Sequence, residues 1–173
     1  GNVGEAQDFP SVLEGLKKCC RLKDIVFLVI GDGKYKTELI KSIQSEGLDN
    51  TVFCLGQYPM QYMPLFYYYS AYLIVPLRDT AIFSYTLPGK VQSYMSSGKP
   101  IVGMVNGEAA RVIVEAGCGY AVASGDHDGF AGILDLCCSL DSTDRHKLGS
   151  LGKSYAYENF RLEPLVDKAV ENF

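Results

Sequence analysis

The chain has 173 residues, 47% hydrophobic and 21% charged, with 18 glycines and no tryptophan, which suits one globular domain with a buried core. A formal net charge of −4 at pH 7, with no dense lysine/arginine cluster, argues against a sequence-independent nucleic-acid surface and against a polybasic membrane patch. No apolar run reaches the roughly 18 residues that a membrane-spanning helix needs.

In chain order, Gly1-Asn2-Val3-Gly4 reads as a loop leaving an upstream strand, and the sequence as a piece of something longer. Asp8 can cap a helix running to about Leu22, with Pro10 in its first turn and Phe9, Val12, Leu13, Leu16, Cys19 and Cys20 on one stripe. Asp24–Gly33 (DIVFLVIGDG) is a continuous apolar run that predicts a strand buried on both faces. A helix follows over about Lys34–Glu46, closed by Gly47. Thr51–Gly56 is the next strand, and MQYMPLFYYYS predicts a short helix whose aromatic cluster belongs to the core. Ala71–Leu77 is again strand. The stretch from Thr86 through Ser97 predicts a helix, with Thr86 as its cap and Pro88 in its first turn. Then come strand Pro100–Val105, helix Gly107–Gly117 and strand Cys118–Ser124. Asp126 caps a helix to about Leu140, Ser142 or Thr143 starts another, and a last helix runs from about Leu162 to Phe173.

Strands alternating with helices predict an α/β fold: a parallel sheet with helices on both faces. In such sheets ligands bind beyond the carboxyl ends of the strands. That rule singles out the loops after Ile30, Leu55, Pro76 and Val105, and the helix entrance at Thr86–Lys90.

Gly31-Asp32-Gly33 lets a backbone approach a ligand closely before a helix start, although Lys36 stands where a dinucleotide fingerprint has its third glycine. A tight turn between strand and helix is the plain alternative. At the second candidate, Gly89 removes bulk and Lys90 adds an ammonium to the positive end of the helix. Lys90, Ser93 and Ser97 fall on one face, with Val91, Tyr94 and Met95 on the buried one. The bland reading is a solvated lysine. Gln57 and Tyr58 could meet a base edge or stack on it, or form only a surface turn. His127 and His146 read as solvated, and Glu108 and Glu115 have no evident partner, so no complete catalytic set is legible. The six cysteines, Cys19, Cys20, Cys54, Cys118, Cys137 and Cys138, make no C-x-x-C and read as reduced, mostly buried thiols of a cytoplasmic protein.

Three stretches together carry a resemblance: GNVGEAQDF, FLVIGDGKYKTEL and PGKVQSYMSSGKPIVGMVNGEAARVIVEAGCGYAV. In this order they are similar to the C-terminal domain of family 4 glycosyltransferases of the GT-B fold, in the branch that builds bacterial surface polysaccharides. The resemblance spans nearly the whole chain. It implies a single Rossmann-like domain over 1–173 that binds a nucleotide-sugar, with UDP-linked N-acetylhexosamines as typical donors. It also implies a second domain that binds a sugar or lipid-linked acceptor, transfer with retained anomeric configuration, and no cofactor or metal. Cytoplasmic location follows, compatible with peripheral association at the inner face of the membrane. The final helix, 162–173, either packs on this domain or crosses to the other.

By the same resemblance the diphosphate meets Thr86, Leu87 and Lys90 and the loop around Asn2, while the base lies near Gly31, Gly33, Gln57 and Tyr58. The family's paired glutamates fall at Tyr85 and Ser93. A serine offers no bidentate carboxylate to a ribose, which costs about 1.5–3 kcal/mol of donor binding. Two other readings stay open: a binding module that has lost turnover, and half of a GT-B-type sugar epimerase.

Overall fold

The computed structural model describes residues 1–80 and 85–160. Five parallel strands form in two groups: β1 (Phe27–Ile30) with β2 (Val52–Gly56), and β3 (Leu73–Pro76), β4 (Ile101–Met104) and β5 (Gly119–Val122) in that order. The helices are α1 (Phe9–Lys18), α2 (Lys36–Ser45), α3 (Met63–Tyr69), α4 (Gly89–Ser96), α5 (Gly107–Glu115), α6 (His127–Ser139) and α7 (Ser142–Phe160). Each crossover between parallel neighbours carries a helix, as the expected Rossmann-like α/β fold requires.

The two faces of the sheet have separate cores. Val102 and Met104 of β4 point into one, with Val29 of β1, Leu13 and Leu16 of α1, Leu39 of α2 and Phe130 of α6. Ile101 of β4 and Val75 of β3 point into the other, with Val91 and Met95 of α4, Ile113 of α5 and Ala156 of α7. Strand β4 is buried at all four positions, which is why PIVGMV reads as an unbroken apolar run. Helix α7 reaches the second core through small residues: a Cβ on Gly149 would come 2.0 Å from the carbonyl oxygen of Gly98.

Several expectations need correction. The first helix stops at Lys18, and Leu22–Asp24 forms a separate 3-10 turn. Asp135 of α6 holds that break, accepting from the backbone N–H groups of Cys20 and Arg21 at 3.2 and 2.9 Å. Asp8 occupies the N-cap position but makes no side-chain cap; its backbone is left-handed (φ 40°) and its carboxylate lies 3.7 Å from Arg78. Strand β1 is not buried on both faces. Leu28 keeps 44% exposure, and Phe53 and Leu55 of β2 keep 40% each, because no described helix buries that side of the pair. Helix α3 is not core either: none of its residues is buried, and Tyr68 and Tyr69 are over 70% exposed. An aromatic run carries no helical period, so its content alone misleads.

Other expectations hold. Gly47 closes α2 in the left-handed conformation (φ 68°), with Leu48 N–H bonded to the Ile43 carbonyl at 2.9 Å. Asp126 caps α6 by accepting from Gly129 N–H at 2.8 Å. Cys19, Cys118 and Cys137 are buried and every cysteine is free, but Cys20 is exposed. The helix expected over 162–173 lies outside the described residues.

Candidate functional site

Three loops meet beyond the carboxyl ends of β1, β2 and β3. The segment Gly1–Gly4 runs alongside the end of β1: the Gly1 nitrogen donates to the Ile30 carbonyl, and Val3 N–H to the Asp32 carbonyl at 2.9 Å. This crossing explains both glycines of the Gly-Asp-Gly turn. A Cβ on Gly31 would sit 1.7 Å from the Gly1 carbonyl oxygen, and one on Gly33 would sit 2.3 Å from that of Val3. The two glycines therefore admit this chain's own backbone. Gly31 N–H also donates to the Gly56 carbonyl at 2.8 Å, which draws the Gln57–Tyr58 turn to the same place.

Lys90 approaches the same loops from the head of α4. A Cβ on Gly1 would lie 2.9 Å from Lys90 Cε and 3.2 Å from its Nζ. The Lys90 side chain is half-buried, and loss of water around it lowers its pKa from the ordinary lysine value. No carboxylate among the described residues pairs with it. Helix α4 starts differently from the expectation. Pro88 is its N-cap residue and no side chain caps it, so Thr86 lies exposed two residues outside the cap position. The N–H groups of Gly89 and Lys90 have no acceptor among the described residues, which leaves two donors beside the ammonium. Leu87 packs against the second core and anchors the approach to this turn.

The faces of α4 are as expected. Val91 and Met95 are fully buried, while Ser93 is exposed and donates its hydroxyl to the Gly89 carbonyl at 2.9 Å. That bond turns Ser93 back onto its own helix. Asn2 is exposed and bridges to Asp32 through the backbone. Gln57 is exposed too, and Tyr58 leans edge-on against Phe66 with ring centroids 4.9 Å apart.

Sequence reasoning missed several supports. Asp32 accepts from Gly33 N–H at 2.8 Å and lies 3.3 Å from Lys36 Nζ; the N–H bond, then the ammonium, lowers its pKa. Gln7 folds inward and accepts from Gly4 N–H at 2.8 Å, fixing the first loop. Asn106 accepts from Ser124 N–H at 3.0 Å, and the Ser124 hydroxyl donates to the Leu77 carbonyl, tying together the ends of β3, β4 and β5. The last two are legible only once these three strands are known to be neighbours. Glu108 and Glu115 are not idle: both hold Arg111 along α5, Glu108 through two oxygens. Arg111 and Glu115 border an open depression of about 580 Å³ that also includes Asn106 and Ala123 but not Lys90.

Among the described residues no group of three His, Cys, Asp or Glu side chains could share a metal ion, and no helix is long and apolar enough to cross a membrane. His127 and His146 stand apart from the converging loops: His127 is half-exposed beside Asp128, and His146 is exposed on α7.

Comparison with solved structures gives the same fold. HepE of Anabaena, in a complex with UDP and glucose, superposes with a TM-score of 0.81 at 18% identity, over 99% of this chain and 46% of that one. TarM of S. aureus superposes with a TM-score of 0.83 at 14% identity, over 99% of this chain and 34% of that one. The C-terminal domain of the group 1 glycosyl transferase LpcC of Francisella tularensis gives 0.75 at 20% identity, over 94% of this chain and 84% of that domain. This chain thus spans less than half the length of HepE and TarM. No curated protein matches the sequence significantly. The family described as glycosyl transferases group 1 matches residues 1–154. The chain shares its fold with the C-terminal domain of LpcC, and the family match over residues 1–154 shows that it belongs to the glycosyl transferases group 1 family.

Proposed function

We propose that this chain is the donor-binding half of a retaining glycosyltransferase that uses a UDP-sugar in cell-surface polysaccharide synthesis. One observation carries the reading: Lys90, half-buried and without an acidic partner among the described residues, faces the Gly1–Gly4 loop from the head of α4. A desolvated ammonium beside two N–H groups that meet no acceptor among the described residues is a place for an anion with several oxygens, and a diphosphate is such a group. As the bond between sugar and phosphate breaks, negative charge grows on the leaving diphosphate, and these donors stabilise it without reorganising. The complexes of HepE with UDP support a uridine nucleotide as the donor's carrier. A second domain would supply the acceptor, a sugar or a lipid-linked sugar.

Titration calorimetry with UDP, ADP and GDP tests the reading. UDP should bind, and Lys90→Ala should weaken it while the melting temperature stays nearly constant. Unchanged UDP affinity in that variant would leave Lys90 a surface lysine and remove the main support. A second reading, a binding module without turnover, is favoured by Ser93, whose hydroxyl is engaged by its own helix where a carboxylate would grip ribose. Sugar transfer by the full-length protein separates the two.

A further inference from the structure

Helix α3 and the 3-10 turn before it (Met60–Tyr62) turn apolar side chains toward water. Tyr62, Leu65 and Tyr69 recur at intervals of three and four and share one face with Tyr68, and all four are exposed. Met60, at the start of the turn, is 83% exposed. The inner side is apolar as well: Phe66 packs edge-on against Tyr58, and Tyr67 against Tyr94 of α4 with ring centroids 5.5 Å apart. A surface helix ordinarily keeps its outer stripe polar. Here Gln61 and the tyrosine hydroxyls are the only polar side-chain groups from Pro59 to Tyr69, and no charged side chain occurs from Asn50 through Leu77.

This face runs down one flank of the domain. Met60 follows closely on Gly56, the carboxyl end of β2. Lys99, just ahead of β4, donates to the Tyr68 carbonyl at 2.7 Å, which puts Tyr68 at the amino ends of the strands, away from the donor loops. The Lys99 ammonium also lies 5.7 Å from the centre of the Tyr68 ring. Lys153 of α7 reaches the same corner: a Cβ on Gly98 would lie 3.6 Å from Lys153 Cδ. Neither lysine is paired with a carboxylate among the described residues. The apolar face thus has a cationic rim at one end.

We propose that this flank is a membrane-contact surface, which seats the α3 tyrosines at the headgroup level of an anionic lipid bilayer and sets Lys99 and Lys153 against its phosphates. Tyrosine suits that level, with its ring toward the acyl chains and its hydroxyl toward water. A convex helix face with no carboxylate and two cations at its rim complements a negatively charged surface that offers no pocket. A second copy of this chain would bring the same lysines and no carboxylate to the contact, so its charges do not complement the face. The net charge of −4 gives no long-range attraction to an anionic membrane. Insertion of the rings therefore carries the binding, and the lysines orient it. The inference stands apart from the donor-site reading, since none of these residues belongs to that site.

The test is flotation of the 173-residue chain with phosphatidylcholine vesicles, with and without phosphatidylglycerol. The unaltered chain should float with both, and more with phosphatidylglycerol. A triple variant, Leu65→Gln, Tyr68→Gln and Tyr69→Gln, should partition about tenfold less or weaker into both, with its UDP affinity and urea midpoint unchanged. Tyr69→Gln alone, at the most exposed ring of the helix, should show part of the same loss. A double variant, Lys99→Gln and Lys153→Gln, should bind the two vesicle types alike. No flotation of the unaltered chain, or equal flotation of the triple variant, would overturn the proposal. Sedimentation as a dimer that the triple variant abolishes, without vesicle binding, would give the face to a second copy instead. Equal flotation of the unaltered chain with both vesicle types, or a preference kept by the lysine variant, would overturn the role of the lysines.

Discussion

At the scale of single residues the site turns on one charge. Removing the Lys90 ammonium should cost about 1.5–3 kcal/mol of UDP binding, the range of a charge-assisted hydrogen bond, so Lys90→Ala should bind UDP about 10- to 150-fold more weakly in calorimetry. Its depressed pKa gives a pH signature. Lys90 releases its proton at a lower pH than a solvated lysine, so UDP affinity should fall as pH rises through that depressed pKa. Lys90→Ala should show no such fall. The same shift acts on folding in the opposite direction. Between the folded and unfolded pKa values the unfolded chain binds more protons, so stability without ligand should rise with pH across that window. Ser93 is the complementary test. It is exposed and one helical turn from Lys90, so Ser93→Glu has room to reach a ribose. That variant should tighten UDP binding relative to Ser93→Ala; weaker binding by the glutamate alone would place the ribose elsewhere.

At the scale of elements, close approach of backbones decides what each position tolerates. Gly149 of α7 packs on the end of α4, and Gly149→Ala must push the helices apart because its Cβ would lie 2.0 Å from the Gly98 carbonyl oxygen. Overpacking of this kind typically costs about 1–3 kcal/mol, to be read from the midpoint of urea unfolding. Gly33→Ala meets Val3 backbone at 2.3 Å and should do two things, destabilise the fold and weaken UDP binding, because the displaced segment borders Lys90. Asp126→Ala should cost about 0.5–2 kcal/mol by freeing the Gly129 N–H, with no effect on UDP binding. The element boundaries that sequence reading misplaced have two causes. The early end of α1 is set by Asp135, more than a hundred residues away, and the open start of α4 has no capping side chain to announce it.

At the scale of the whole molecule, the proposed donor site stands without a complete catalytic set among the described residues. The purified 173-residue chain should therefore bind UDP yet transfer no sugar to a lipid-linked acceptor, as assayed by product formation. Burial also sorts the thiols across the molecule. Loss of water pushes the pKa of Cys118 up to about 11 and those of Cys19 and Cys137 up to about 12, while Cys20 is exposed. Brief alkylation of the native protein near pH 8 should mark Cys20 before these three.

By itself the sequence determined the order of strands and helices, the parallel sheet and the stripe of α4 that faces the core. Those follow from local causes: the period of apolar residues, Gly47 and Asp126 as helix punctuation, and the uninterrupted run in β4. Only the tertiary structure decided what the glycines of Gly31-Asp32-Gly33 are for, since the backbone they admit comes from Gly1–Val3. It alone revealed that Leu28, Phe53, Leu55 and the tyrosines of α3 stay exposed, because burial depends on which helix lies over a strand. It alone brought Lys90, about sixty residues from the Gly31–Gly33 turn in sequence, against the first loop of the chain. Contacts between segments distant in sequence leave no period in either of them, so the convergence that makes the site exists only in the folded chain.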